Sequence, residues 1–229
     1  MKALIITSAA LLLSGTAAAA TPDWDGFYLG AQASHGEGHS NDRSNANASE
    51  KSIRGFTGGV QGGRRWQFDN NVVVGVEGAL SIGSIQRDWK EREHHQYSPY
   101  YGKDAVTRSG TFDVTLGRAM GRWLPYVGAG VTVARQEFSL GCDTSLVEAT
   151  NGCRVAEFET QRSHTSTGSH AVAGVLYRFN DRLSAGAEYR HTHLGSSPVT
   201  LEDPNYPAAA RRSFHTDYSS VTLKLNYHF

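Results

Sequence analysis

Beyond residue 20 the 229-residue chain contains no apolar run long enough to cross a bilayer as a helix, which takes about 20 residues. Mean hydropathy is −0.42, so any passage through a membrane has to use strands that are apolar on one side only. Charge of one sign is also lacking: 22 basic residues stand against 22 acidic ones, which argues against a nucleic-acid partner. Prolines number 6 against 25 glycines, a balance that points to many turns and closely packed strands rather than helices. Cysteine occurs only at Cys142 and Cys153.

What is present begins with an export signal. Lys2 precedes the apolar run Ala3 to Leu13, then Ser14, Gly15 and a small-residue stretch ending at Ala20. Residues 1–20 are therefore expected to be removed, leaving 21–229 as one domain of formal charge −1, because losing Lys2 leaves 21 basic against 22 acidic residues. The run is too short to serve as an anchor. In an oxidising compartment Cys142 and Cys153, with ten residues between them, are expected to close a disulfide.

The last nine residues carry the strongest pattern. Val221, Leu223, Leu225, Tyr227 and Phe229 alternate with Thr222, Lys224, Asn226 and His228, the period-two signature of a strand with one apolar face. The same alternation predicts strands at 26–34, 55–68, 72–85, 107–120, from Trp123, 165–179 and 182–194. Asp69-Asn70-Asn71, Gly121-Arg122 and Asn180-Asp181 supply tight turns, while long polar loops are expected at 35–54, 86–106, 140–164 and 195–212.

Alternating long and short connections over eight strands describe an eight-stranded antiparallel transmembrane β-barrel. Such a barrel lies in the cell outer membrane with short turns and termini in the periplasm and the four long loops outside. No separate soluble domain or peptidoglycan-binding tail is expected after the last strand. Trp24, Phe68, Trp123, Phe179 and Phe229 fall near the periplasmic strand ends, where an aromatic girdle is expected. The inward parity holds Arg65, Glu77, Asp113, Arg178, Glu188, Arg190 and Lys224. A soluble barrel would fill that position with apolar side chains.

Several segments, DWDGFYLGA, GFTGGVQGG followed by VVVGVEG, RWLPYVGAGV, EYRHTHLG and the terminal LNYHF, together resemble the porin-like small outer-membrane barrels and surface antigens of Gram-negative bacteria, those of alphaproteobacteria above all. The resemblance spans nearly all of the chain after the signal. It implies a conserved fold with divergent loops, and haem-binding, adhesive or immunogenic roles described for some members.

Three groups of residues could carry function. The inward acids and bases nearly balance, and an eight-stranded barrel is just wide enough for side chains to fill, so a salt-bridged plug is expected over a narrow porin. Nine of the ten histidines lie toward the loop side, His170 among them. His94 and His95 lie close to Tyr97, the residue types that could ligate iron in a haem held by a surface loop. Small barrels that remove acyl chains from lipid A use a membrane-facing Ser and His. His191-Thr192-His193 places His193 where that serine is needed, and Ser196 and Ser197 fall in the loop, so no catalysis is expected. The expected role is structural and interactive, with outer-membrane lipids and a host or environmental surface ligand as partners.

Overall fold

The computed structural model describes residues 23–42, 51–90, 100–143, 153, 157–200 and 211–229. These form β1 (Gly26–Asp42), β2 (Lys51–Gln67), β3 (Val72–Lys90), β4 (Tyr100–Arg118), β5 (Trp123–Cys142), β6 (Phe158–Arg178), β7 (Leu183–Thr200) and β8 (Arg211–His228). Each strand pairs antiparallel with the next, and β1 pairs with β8 from Tyr28↔His228 to Asp42↔Phe214, so the sheet closes into a barrel without edges.

The three tight turns form where turn chemistry predicts. Asn71 takes φ 62° and Gly121 φ 59°, the left-handed region that Asn and Gly enter most readily. Asn180 Oδ1 accepts the backbone N–H groups of Arg182 and Leu183, each at 2.9 Å, and so fixes the β6–β7 turn. Period-two alternation then sorts the side chains: Leu29, Leu80, Phe112, Val131 and Leu223 are each more than half exposed on the outer wall, while Glu77, Asp113, Glu188 and Lys224 are buried inside.

At the far end the strands run well past the predicted boundaries. The connections shrink from the expected 35–54, 86–106, 140–164 and 195–212 to 43–50, 91–99, 143–157 and 201–210. With 17 to 21 residues each, the strands exceed the roughly 9–11 that a bilayer requires. Their upper parts need no apolar face, because the backbone ladder continues in water. Glu37↔Arg54 is one cross-strand pair of opposite charge there. Irregularities between Ile82 and Ile85 and between Leu194 and Ser197 mark where β3 and β7 change register.

The aromatic girdle at the short-turn end contains Phe68, Trp123, Phe179 and Phe229, all exposed. Trp24 is a correction: it is fully buried beneath the barrel, its backbone N–H donating to Gln67 Oε1 at 2.8 Å and its ring edge-on to His228 at 6.0 Å. The segment before β1 bends under the barrel, so its ring packs inside rather than outside. A second difference concerns the interior, which is not polar throughout. Trp24, Val73, Ala119, Leu124, Tyr126, Val172 and Leu176 form an apolar layer at the short-turn end, and Ile53, Ile85, Val106, Ala134, Leu194 and Tyr218 form another nearer the long connections.

Candidate functional site

Between those two apolar layers lies a charged one. Each member is delivered by the inward parity of a different strand or a different height on it: Arg65 from β2, Glu77 from β3, Asp113 from β4, His170 from β6, Glu188 and Arg190 from β7, and Lys224 from β8. Glu77 and Asp113 are direct register partners, a pairing of like charges that is unfavourable on its own. Cations from across the barrel make it tenable. Lys224 Nζ donates to Glu77 Oε1 at 2.6 Å and to Glu188 Oε2 at 2.7 Å. Arg190 Nη2 donates to Glu188 Oε1 at 2.9 Å and to Asp113 Oδ2 at 3.2 Å.

Two tyrosines complete the carboxylates. Tyr28 Oη donates to Glu77 Oε2 at 2.7 Å and Tyr126 Oη to Glu188 Oε2 at 2.8 Å. Arg65 lies with its guanidinium carbon 3.7 Å from the centroid of the Tyr28 ring, a cation–π contact in a desolvated setting. A cavity of about 40 Å³ stands above the charged layer, lined largely by Ser and Thr side chains, and one of about 10 Å³ lies beside Arg65 and Tyr28. The smaller has the volume of about one water.

Long side chains cross the barrel because glycines clear their way. A Cβ at Gly63 would lie 2.7 Å from Tyr28 Oη, one at Gly130 2.7 Å from His170 Nε2, and one at Gly174 2.6 Å from the Tyr126 ring. In each case a small residue on one wall faces a large one from another, so the interior is filled by pairs of opposite size.

His170 belongs to this layer and not with the loop-side histidines. Its Nδ1 lies 2.7 Å from Thr132 Oγ1, and its Nε2 faces both Arg190 Nη1 at 2.8 Å and Asp113 Oδ1. Arg190 needs a lone pair on Nε2, whereas Asp113 needs a proton there, so one ring nitrogen serves one of the two at a time. Inward parity on β6 was the signal that places it here. Apart from His170, three cations (Arg65, Arg190, Lys224) face three carboxylates (Glu77, Asp113, Glu188), and the formal charges cancel.

Arg178 does not join them. It lies at the short-turn end, donating to the Asp181 carbonyl at 2.7 Å and to the Asp23 carbonyl, with its guanidinium 5.4 Å from the Trp24 ring. It ties the chain before β1 to the β6–β7 turn. Being close to a strand end, it meets backbone oxygens instead of the carboxylates higher in the barrel. Cys142 and Cys153 are joined, with Cα atoms 5.9 Å apart, and Cys142 is the last residue of β5 rather than part of a free loop. His94, His95 and Tyr97, the expected haem ligands, lie outside the described residues. His191 and His193 face outward on β7, the first meeting Ser219 Oγ at 3.0 Å and the second paired with Asp217.

Comparison with known proteins places this architecture. The family model described as "Outer membrane protein beta-barrel domain" matches residues 6–229. The 31 kDa outer-membrane immunogenic protein of Brucella melitensis biotype 1 is 28% identical over 262 residues, covering 100% of both chains, and its Brucella suis counterpart matches equally. Among solved structures, Neisserial surface protein A shares 15% identity at a TM-score of 0.48, over 89% of this chain and 97% of its own. The attachment invasion locus protein of Yersinia pestis shares 12% at 0.45, over 89% and 99%. With a matching family model over nearly its whole length, the chain belongs to the outer membrane protein beta-barrel domain family and lies in the outer membrane, its short turns periplasmic and its long connections outside the cell.

Proposed function

We propose that this protein is a non-conducting outer-membrane barrel whose role is to stiffen the membrane and present its extracellular connections, with the charged layer acting as a plug. The observation that carries the reading is the order of layers along the barrel axis: apolar, charged, apolar. An ion entering from outside would meet the apolar layer of Ile53, Ile85, Val106 and Tyr218, with Asp104 buried beside it, before the charged layer, and Trp24, Leu124 and Leu176 after it. Removing an ion from water into such surroundings is strongly unfavourable unless it is paired. Lys224 and Arg190 are paired with Glu77, Glu188 and Asp113, and Arg65 lies against the Tyr28 ring.

Strands extended past the bilayer support the presenting role, since they carry the connections clear of the headgroups. The Brucella relatives are named as immunogenic, and the same is proposed for the outward connections of this chain. The test of the plug is single-channel conductance of the refolded protein in planar bilayers, with heat-modifiable gel mobility showing that it has folded. The expected record is silent for the wild type. Stable current steps from the folded wild type would replace the plug with a porin.

A further inference from the structure

On β2 the even-numbered residues face outward, and between Phe56 and the girdle ring Phe68, which follows the strand, one of them is a cation, Arg64. It stands three residues above the strand's last residue, Gln67, at the level of the periplasmic girdle. Both of its register partners are apolar, Phe27 on β1 and Val76 on β3. Among the described residues no acid pairs with it. Its guanidinium carbon lies 4.8 Å from the Phe27 ring centroid and 5.2 Å from that of Trp66, and Nε is buried without a hydrogen-bond partner.

Immediately above Arg64 the outer wall is hollow. Gly62, Gly78 and Gly110 floor an apolar groove of about 540 Å³, with Leu29, Leu80 and Phe112 among its walls. That volume falls in the range of ligand sites, about 300–1,000 Å³. The floor glycines differ from the inward ones: a Cβ at Gly78 would find nothing nearer than 3.9 Å and one at Gly110 nothing nearer than 3.4 Å. Barrel packing leaves room for side chains there. What their absence creates is the groove.

We propose that this face binds one phospholipid of the periplasmic leaflet, its headgroup phosphate on Arg64 and an acyl chain in the groove floored by Gly62, Gly78 and Gly110. The chemistry of the two parts selects the occupant. An unpaired guanidinium held by aromatic rings offers parallel N–H donors to a phosphate. A groove with apolar walls, opening to lipid directly above it, suits a hydrocarbon chain joined to that phosphate. A second copy of the chain would have to bring an anion to this face, where Phe27, Leu29 and Val60 are apolar and Asp25, exposed just before β1, already accepts the Gln67 backbone N–H at 3.4 Å.

Native mass spectrometry of the refolded barrel, titrated with phosphatidylglycerol in detergent, tests the assignment. The wild type is expected to retain one lipid, and Arg64→Gln and Gly78→Leu each to retain about tenfold less, roughly the loss of one charge-assisted contact or of the chain's seat. Gly78→Leu has room to fold, and heat-modifiable mobility checks both variants. Glycerol phosphate, a headgroup without chains, is expected not to displace the lipid. Failure of the wild type to retain lipid, retention by either variant equal to the wild type, full displacement by glycerol phosphate, or a lipid-free dimer would each overturn the site.

Discussion

Glu188 is the residue on which the buried charges converge, since it accepts from Lys224, Arg190 and Tyr126 at once. Glu188→Ala leaves both cations with a single carboxylate each and is expected to cost about 3–5 kcal/mol, read as a lower unfolding temperature of the refolded barrel. Replacing Glu188 and Lys224 together by Met is expected to cost less than the sum of the single changes, because the directly bonded pair leaves together, Arg190 keeping Asp113 and Glu77 keeping the Tyr28 hydroxyl. Gly174→Val tests the crossing of side chains. Its added Cβ falls 2.6 Å from the Tyr126 ring, and about 1–3 kcal/mol of destabilisation by urea unfolding is expected. At this scale the sequence was informative about facing and silent about partners. Alternation alone put six of the seven expected charges into one layer. Which carboxylate meets which cation depends on strand register, and the Lys224–Glu77 contact joins residues 147 apart. His170 was readable from its inward parity but was outweighed by its position toward the loops. Nothing in the sequence marked Trp24 as an interior residue, because its place depends on a bend before the first strand.

The strands show where sequence reading stops and why. Their lower parts announce themselves because lipid outside demands an apolar residue at every second position; the upper parts are built by the backbone ladder in water, which makes no such demand. β1 was therefore expected to end at Ser34 and instead continues to Asp42. Amide exchange in the refolded protein is expected to show protection continuing along β1 as far as Ser40, whose register partner is Lys51, instead of ceasing at His35. The irregularity in β3 carries its own requirement. Gly83 has φ 147°, and a Cβ there would lie 2.4 Å from the Phe56 carbonyl, so Gly83→Ala is expected to destabilise the barrel while Gly121→Ala, whose Cβ meets nothing within 4 Å, costs only the backbone penalty of φ 59°. Comparative urea unfolding of the two variants separates crowding from conformation.

The molecule as a whole is a barrel held by its ladder and interior, with the connections 43–50, 91–99, 143–157 and 201–210 joining its strands at one end. The disulfide stands at the border, since Cys142 ends β5 and Cys153 lies in the following connection. Closing so short a loop contributes about 3 kcal/mol in the chain-entropy model, but that energy acts on the connection. A Cys142→Ser, Cys153→Ser double variant is expected to keep heat-modifiable gel mobility and to be cut faster by protease between β5 and β6. Loss of the folded gel band would instead make the disulfide part of the barrel's own stability.

Lys224 sits on the strand that closes the ring, and its ammonium joins acids on β3 and β7, 147 and 36 residues away. Those three positions meet only when β8 has zipped to β1 with Lys224 opposite Gln32. A slip of two residues would preserve every inside and outside assignment and satisfy the ladder almost as well, yet it would offer Thr222 or Asn226 to Glu77 in place of the cation. The buried acids thus act as a proofreader of assembly, accepting one closure and rejecting its near copies.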